Sequence, residues 1–412
     1  MLYYLFDLLE KSNWSGAGLW QFITFRAGVA IIFSLIISLI FGGSIIKKLK
    51  KLQIGESIRD LGLEGQKEKE GTPTMGGVII IMAILIPCLL VADLTNIYIQ
   101  IMMLSTIWMG LIGGTDDYIK VFKKDKKGLS GKYKVIGQIV LGIGIALIML
   151  LHEDVVVRMN LEDAVGGGYE MVQEFTDKKG EKVAYVKSTI TNIPFLKGNN
   201  FDYQSILFFL GENAANLVWV IFVPIIVFLV TAVSNAANLT DGIDGLTTGI
   251  TAIIAATLAV FAYVSGNVNA AQYLGILNLP GTGELVVFSA CLIGACVGFL
   301  WYNTYPAEVF MGDTGSLTLG GIVAALAILL RKELLLPILC GVFMVETLSV
   351  MIQVSYFKYT KRKYGEGRRV FLMSPIHHHF QKQGIHESKI VSRFWIIGIL
   401  LAVATILTLK IR

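Results

Sequence analysis

The chain has 412 residues, of which 54% are hydrophobic and only 16% charged, with a net charge of +5 and a mean hydropathy of +0.67. A soluble domain carries roughly a quarter charged residues, so this composition excludes a water-soluble enzyme and makes the bilayer the main solvent. Membrane lipids are expected partners, and no nucleic acid is.

Residues 1–15 lack the basic start of a cleaved signal peptide and carry Asp7 and Glu10, which suits an interfacial helix. Ten apolar stretches follow, most of them near the ~17–25 residues that a helix needs to cross hydrocarbon. They cover about 20–46, 75–92, 97–115, 133–151, 214–235, 246–265, 285–302, 317–330, 334–355 and 394–410. Between the fourth and fifth lies a long polar insert, 152–212, in which MVQEFT and EKVAYV flank the turn-like DKKG and predict a β-hairpin. Only Arg331, Lys332 and Glu333 separate the eighth stretch from the ninth.

Lys and Arg gather in alternate loops, with seven in 47–73, seven in 115–134 and nine in 356–393, together 23 of the chain's 35. By the positive-inside rule those loops are cytoplasmic and both termini external. The expected fold is an all-α integral membrane protein of about ten transmembrane helices. It forms a single polytopic domain over 1–412, with 152–212 as a small external β-hairpin insert. Cys88, Cys291, Cys296 and Cys340 all fall inside apolar spans without C-x-x-C spacing, which reads as packing.

Carboxylates are expensive near hydrocarbon, so a set of them at one bilayer face marks a functional site, here on the cytoplasmic side. Asp116 and Asp117 end the third span in GGTDDYIK. Adjacent carboxylates repel and need a cation or a shared proton at low dielectric; Lys120 and Lys132 follow in a basic loop with Asp125, which matches no motif. The fifth span ends in NLTDGIDGL, where Asp241 and Asp244 share a face if the segment is helical. Gly242 and Gly245 allow close backbone approach by a ligand. The pattern lacks the ligand spacing of a calcium loop, and a phosphate or nucleotide site is favoured over a plain turn.

In WYNTYPAEVFMGDTGSL, Asp313 stands just before the eighth span. Magnesium takes one or two protein carboxylates and fills its shell with phosphates and water, a role that suits Asp313. Capping of the next helix by Asp313 or Thr314 is the alternative. SPIHHHFQKQGIHES carries His377, His378 and His379. In an extended segment alternate side chains diverge, which favours phosphate contact or orientation of a carboxylate over one shared metal. KEKEGTPTMGGV offers Lys69, Thr72 and Thr74 to a phosphate or lipid headgroup, or is a simple helix-start loop. GLSGKY is not a P-loop. Glu346, with Gln353 two turns on, serves interhelical hydrogen bonding or a substrate groove.

Together, GTPTMGG, DDYIK, NLTDGIDGL, YNTYPAEVFMGDTGSL and PIHHHF resemble the phospho-N-acetylmuramoyl-pentapeptide transferase (translocase I) family. The acidic motifs are shared by the wider polyprenyl-phosphate N-acetylhexosamine-1-phosphate transferase superfamily; PIHHHF with GTPTMGG narrows the match. Two departures are a longer insert at 152–212 and Gln381 after Phe380 where the family pattern has Glu. The resemblance implies transfer of phospho-N-acetylmuramoyl-pentapeptide from its UDP-linked precursor to undecaprenyl phosphate. The products are lipid I and UMP, and Mg2+ is the cofactor, at the bacterial inner membrane in peptidoglycan synthesis. It also suggests a homodimer.

By the same resemblance, Asp313 binds Mg2+ that bridges the diphosphate, and Asp116 and Asp117 position or deprotonate the lipid phosphate. His377 supports phosphate or Mg2+. Asn238, Asp241, Asp244, Asn303 and Lys69 hold the uridine diphosphate region, with Gly242 and Thr74 close by and Phe310 stacking on uracil. His378 and His379 take the sugar–peptide end, and Lys120 and Lys132 supply positive charge. A one-step and a covalent mechanism both stay open. The rival readings are a sister transferase using UDP-N-acetylglucosamine and a lipid flippase, which predicts mid-bilayer ionisable groups and internal repeats; no convincing repeat is present.

Overall fold

Every backbone polar group in hydrocarbon must be paired within the chain, which leaves helices to span for a sequence with these apolar runs. The computed structural model describes residues 1–52, 69, 71–125, 127–177, 180–193 and 200–408. Segment 53–68, with Arg59 and Lys67 of the first basic loop, Lys126, the middle of the DKKG turn, and Lys410 and Arg412 lie outside the described residues. In chain order the elements are α1 (Leu2–Lys11), α2 (Ile23–Leu52), α3 (Gly77–Val91), α4 (Ile97–Phe122) and α5 (Gly131–Leu151). The insert holds β1 (Val157–Asn160), α6 (Leu161–Gly166), β2 (Glu170–Thr176), β3 (Lys182–Lys187), β4 (Ile190–Asn192) and β5 (Asn200–Asp202). Then come α7 (Ala214–Leu217), α8 (Trp219–Thr240), α9 (Leu246–Gly266), α10 (Val268–Leu274), α11 (Glu284–Asn303) and α12 (Gly312–Leu329). The chain continues through α13 (Leu336–Leu339), α14 (Gly341–Tyr364), α15 (Ile376–Lys382) and α16 (Glu387–Leu407).

Eight of the described helices are long and apolar enough to cross a membrane, and Glu333–Leu339 with Gly341–Tyr364, bent by 76°, brings the number to nine when the pair is counted as one span. The expected span at 75–92 is the shorter apolar helix α3, of 15 residues. Span edges move outward where hydropathy trims polar residues but backbone pairing continues. The helix of the third expected span, α4, runs to Phe122, so Asp116 and Asp117 lie inside it, and Asp313 lies in the first turn of α12.

Helices α4, α8 and α11 end, and α3, α9, α12 and α16 begin, at one face of the bundle, where all the acidic motifs meet. At the other face, the Met1 ammonium donates to the carbonyls of Leu89 (2.7 Å) and Leu90 (3.0 Å), at the far end of α3. Arg26 of α2 there grips Glu284 of α11 through both guanidinium nitrogens, at 2.7 and 2.5 Å. Helix α12 is buried from Thr314 to Leu329, as expected for a helix that is apolar all round, and it packs on α3, α4, α8 and α9. Small residues permit this approach. A Cβ at Gly113 would stand 2.1 Å from the Asp313 carbonyl oxygen, so α4 meets α12 backbone to backbone.

The predicted hairpin is present as β2 paired antiparallel with β3, but the insert is larger than a hairpin. β1 pairs with the other edge of β3, giving the order β1-β3-β2, and β4 pairs with β5 in a second small sheet. The insert clamps the turn between the eighth and ninth spans. Asn192 N and Thr191 Oγ1 each donate to the Arg331 carbonyl at 3.0 Å, and Tyr203 Oη donates to Glu333 Oε1 at 3.2 Å. The Lys332 ammonium donates to Asn192 Oδ1. Lys332 is 1% exposed, and burial pushes its amine down to about 7. An unpaired buried donor costs about 1–3 kcal/mol. Asn192→Leu is therefore expected to lower thermal stability in detergent, with the melting temperature followed by intrinsic fluorescence.

Candidate active site

Asp116, Asp117 and Asp313 present oxygens that all lie within 4.8 Å of one another. They are not equivalent. Asp117 Oδ1 accepts from Asp313 N (3.1 Å), and Oδ2 from Thr314 N (2.8 Å) and Thr314 Oγ1 (2.6 Å). Its carboxylate thus satisfies the free N–H groups at the start of α12, where negative charge is favoured. The expected cap was Asp313 or Thr314 itself; supplied from α4 instead, it leaves the Asp313 side chain available for other contacts.

Asp116 Oδ1 accepts from Leu129 N (2.7 Å) and pairs with Lys134 Nζ (2.9 Å), and Oδ2 lies 2.5 Å from Lys120 Nζ. Asp313 Oδ2 meets Lys134 at 2.5 Å and Lys120 at 3.3 Å, while Oδ1 accepts from Asn238 Nδ2 at 2.9 Å. Three carboxylates against two ammoniums leave net negative charge on an all-oxygen donor set, which suits a hard divalent cation. Asp313, at 15% side-chain exposure, is the most open of the three.

Lys134 was not singled out in the sequence, and Lys132, which was, is exposed. Helix α5 starts at Gly131, and two residues along a helix reverse the face, so a basic run cannot say which lysine turns inward. Asn238, expected at the uridine diphosphate region, lies against the acidic cluster. It donates to Asp313 and to Ser316 Oγ (2.8 Å), which binds it to the carboxylate cluster.

A second network lies beside the first. Lys69 Nζ donates to Asp244 Oδ1 (2.8 Å) and Glu387 Oε1 (2.6 Å), and sits 5.7 Å from the Tyr305 ring centre. Glu387 also accepts from Asp244 N (2.7 Å) and Gln381 Nε2 (3.1 Å). Sequence reading missed Glu387 because hydropathy started the last span at 394; an acid heading a membrane helix was the available signal. Asn303 braces the loops, accepting from Gly245 N and Thr248 Oγ1 (3.2 Å each) and donating to the Val309 carbonyl (3.0 Å). Thr74 is buried in a segment laced to 307–311 by Phe310 N to Pro73 O (2.8 Å) and Gly76 N to Phe310 O (2.9 Å). Phe310 is half-buried there.

The histidines lie on helix α15 and not on an extended strand, so successive rings diverge by about 100° at 3.6 residues per turn. His377 is buried, its Nδ1 3.0 Å from Glu346 Oε2. Its Nε2 would be 2.2 Å from a Cβ at Gly242, so the close approach that Gly242 permits is made by this imidazole. His378 Nδ1 lies 2.7 Å from Gln381 Oε1. His379 Nδ1 accepts from Leu372 N (3.1 Å) and so braces the preceding loop. Gln353 Oε1 accepts from Val370 N (2.9 Å) and Phe371 N (3.0 Å). Gln353 thus fastens that loop to α14, and Glu346 fastens α15 to it through His377.

Residues 179–331 match the family model described as Glycosyl transferase family 4, and 69–81 match phospho-N-acetylmuramoyl-pentapeptide-transferase signature 1. The chain is 56% identical over 415 residues to the phospho-N-acetylmuramoyl-pentapeptide-transferase of Flavobacterium psychrophilum. It is 54% identical over 426 residues to those of Parabacteroides distasonis and Porphyromonas gingivalis. All of this chain and all of each relative are covered, the insert included.

Asp241, half-buried just beyond α8, makes no ion pair among the described residues. Burial, then the charges of Asp313, Asp117 and Asp244, push its carboxyl up to about 8. It is therefore mostly protonated at pH 7 and ionises as pH rises through 8. A divalent cation favours the ionised form, so its binding at pH 7 should release about one proton, and fewer at pH 9. Calorimetric titration in buffers of different ionisation enthalpy measures this, and Asp241→Asn should lower the release at pH 7.

Proposed function

The chain belongs to the phospho-N-acetylmuramoyl-pentapeptide transferase family, and from that membership we propose how its acidic face carries out the family reaction. The protein is a multi-pass enzyme of the bacterial inner membrane. It transfers phospho-N-acetylmuramoyl-pentapeptide from the UDP-linked precursor to undecaprenyl phosphate, giving lipid I and UMP in peptidoglycan synthesis. The observation that carries the mechanism is the carboxylate–lysine cluster at the N-terminus of α12. There a nucleotide from water and a phosphate anchored in lipid can meet.

Phosphoryl transfer rests mainly on positioning and charge neutralisation. An oxygen of the lipid phosphate attacks the β-phosphorus of the nucleotide. The new P–O bond forms as the bond to the α-phosphate's bridging oxygen breaks, and UMP leaves with that oxygen. Asp313 with Asp116 would hold Mg2+, for which the oxygen-only donor set is suited; when bound, the ion offsets diphosphate charge. Lys120 and Lys134 bind phosphate oxygens. Asp117 acts as a positioning residue, holding α12 and with it Asp313. The lipid phosphate has a second pKa of about 6, so it is largely dianionic at neutral pH and does not require a side chain to take its proton. Lys69 and Asp244, with Phe310 against the base, hold the uridine end, while His378 lies toward the sugar and peptide. His377 braces Gly242 from Glu346.

Incubation of the detergent-solubilised enzyme with undecaprenyl phosphate and either UDP-N-acetylmuramoyl-pentapeptide or UDP-N-acetylglucosamine should release UMP from the first alone. Release only from the second would establish the sister activity. Removing one electrostatic contact to a developing charge costs about 10²–10³ in rate. Asp313→Asn should therefore lower Mg2+-dependent UMP release by about 10²-fold or more, and near-normal release would remove Asp313 from its role.

A further inference from the structure

Gln381 joins two groups whose proton requirements are opposite. Glu387 takes Lys69 Nζ (2.6 Å) and Asp244 N (2.7 Å) on Oε1, and Gln381 at 3.1 Å on Oε2. A carboxylate in such a set only accepts, so the end of the Gln381 amide that faces it is the NH2. The amide oxygen therefore faces His378 Nδ1, at 2.7 Å. An amide oxygen also only accepts, which requires the proton on Nδ1. A neutral ring then carries its lone pair on Nε2, and among the described residues Nε2 has no hydrogen-bond partner.

The charged and titratable groups around this ring are His377, with ring centres 4.2 Å apart, and Lys69; Glu387 acts through the neutral Gln381 amide. Burial first, then His377 and Lys69, disfavour the imidazolium and bring the ring down to about 4, against the opposing hydrogen bond from Gln381.

We infer that His378 serves the transferase as a neutral, Nδ1-protonated imidazole whose Nε2 accepts a hydrogen bond from an amide N–H or hydroxyl of the substrate's sugar–peptide end. Gln381 is the positioning residue that sets this state. The inference rests on the transferase reading for its ligand. It assigns His378 to a donor group and not to phosphate, whose ionised oxygens only accept. Glutamate in place of Gln381 would set a carboxylate beside Nδ1, favour the imidazolium, and turn Nε2 into a donor.

The full-length enzyme in micelles, labelled with ¹⁵N-histidine, reports the ring state directly by NMR between pH 5.5 and 8, with His378 assigned by its loss in His378→Gln. The expected pattern is Nδ1–H with an Nε2 lone pair throughout, and Gln381→Glu should bring a titration into that window. In steady-state assays, His378→Ala should raise KM for UDP-N-acetylmuramoyl-pentapeptide about tenfold, with kcat changed less. His378→Gln, which offers a carbonyl oxygen, should restore most of it. Gln381→Glu should make KM vary with pH between 5.5 and 8 where the wild type does not. An imidazolium or the Nε2–H tautomer in the wild type at pH 7 overturns the inference, as does a pH-independent KM in Gln381→Glu. If the wild type releases no UMP from this substrate, the transferase reading fails, and the NMR result still decides the state of His378.

Discussion

The site depends on a helix cap supplied in trans. Asp117 in α4 takes three donors from the first turn of α12, and a buried helix start without such partners would leave N–H groups unsatisfied in low dielectric. The contact also sets the distance between the two helices, because α4 can reach that position only where Gly113 lets its backbone lie against Asp313. Asp313 is then presented beside Asp116 with its own carboxylate uncommitted to capping. Adjacent acids at 116 and 117 therefore divide the work, one capping α12 and the other, fully buried, pairing with Lys120 and Lys134 beside Asp313.

Three carboxylates so close together in a membrane protein would repel strongly without compensation. Lys120 approaches from the same helix as Asp116, one turn on, and Lys134 from the next helix, so α4, α5 and α12 are tied by charge as well as by packing. The neighbouring network around Lys69 ties the loop before α3 to the start of α16 in the same way. Between the two, His377 is locked by Glu346 on one side and the bare Cα of Gly242 on the other. The result is a preorganised polar floor, in which charged side chains are held by partners from different helices.

The opposite face follows the same rule with a different purpose. Arg331, Lys332 and Glu333 are buried, and a chain turning between two membrane helices with three ionisable side chains must find acceptors and donors for them. The insert provides these from β4 and Tyr203, and its Val157, Ala164, Ala184, Val186 and Ile190 form a small apolar cluster with Leu277 and Leu279 from the segment after α10. One end of the insert, from Ser188 to Tyr203, thus covers a turn that hydropathy alone would leave to water.

Much of this was legible in the sequence. Apolar run length established the spanning helices, alternation of basic loops established that the acidic motifs share one face, and acids in glycine-bearing motifs, Asp116 and Asp117 in GGTDD and Asp313 in GDTG, marked the centre, because each of these signals is local in the chain. What only the tertiary structure decided is which atoms meet across the bundle. Lys134 rather than Lys132 turns inward, Asp117 caps a helix nearly two hundred residues away, Glu387 belongs to the site although it heads an apolar span, and Asn303 and Thr74 brace loops. These outcomes depend on helix rotation and on the register between helices, which arise from packing small residues such as Gly113 and Gly242 against distant partners, and no periodicity along the chain encodes them.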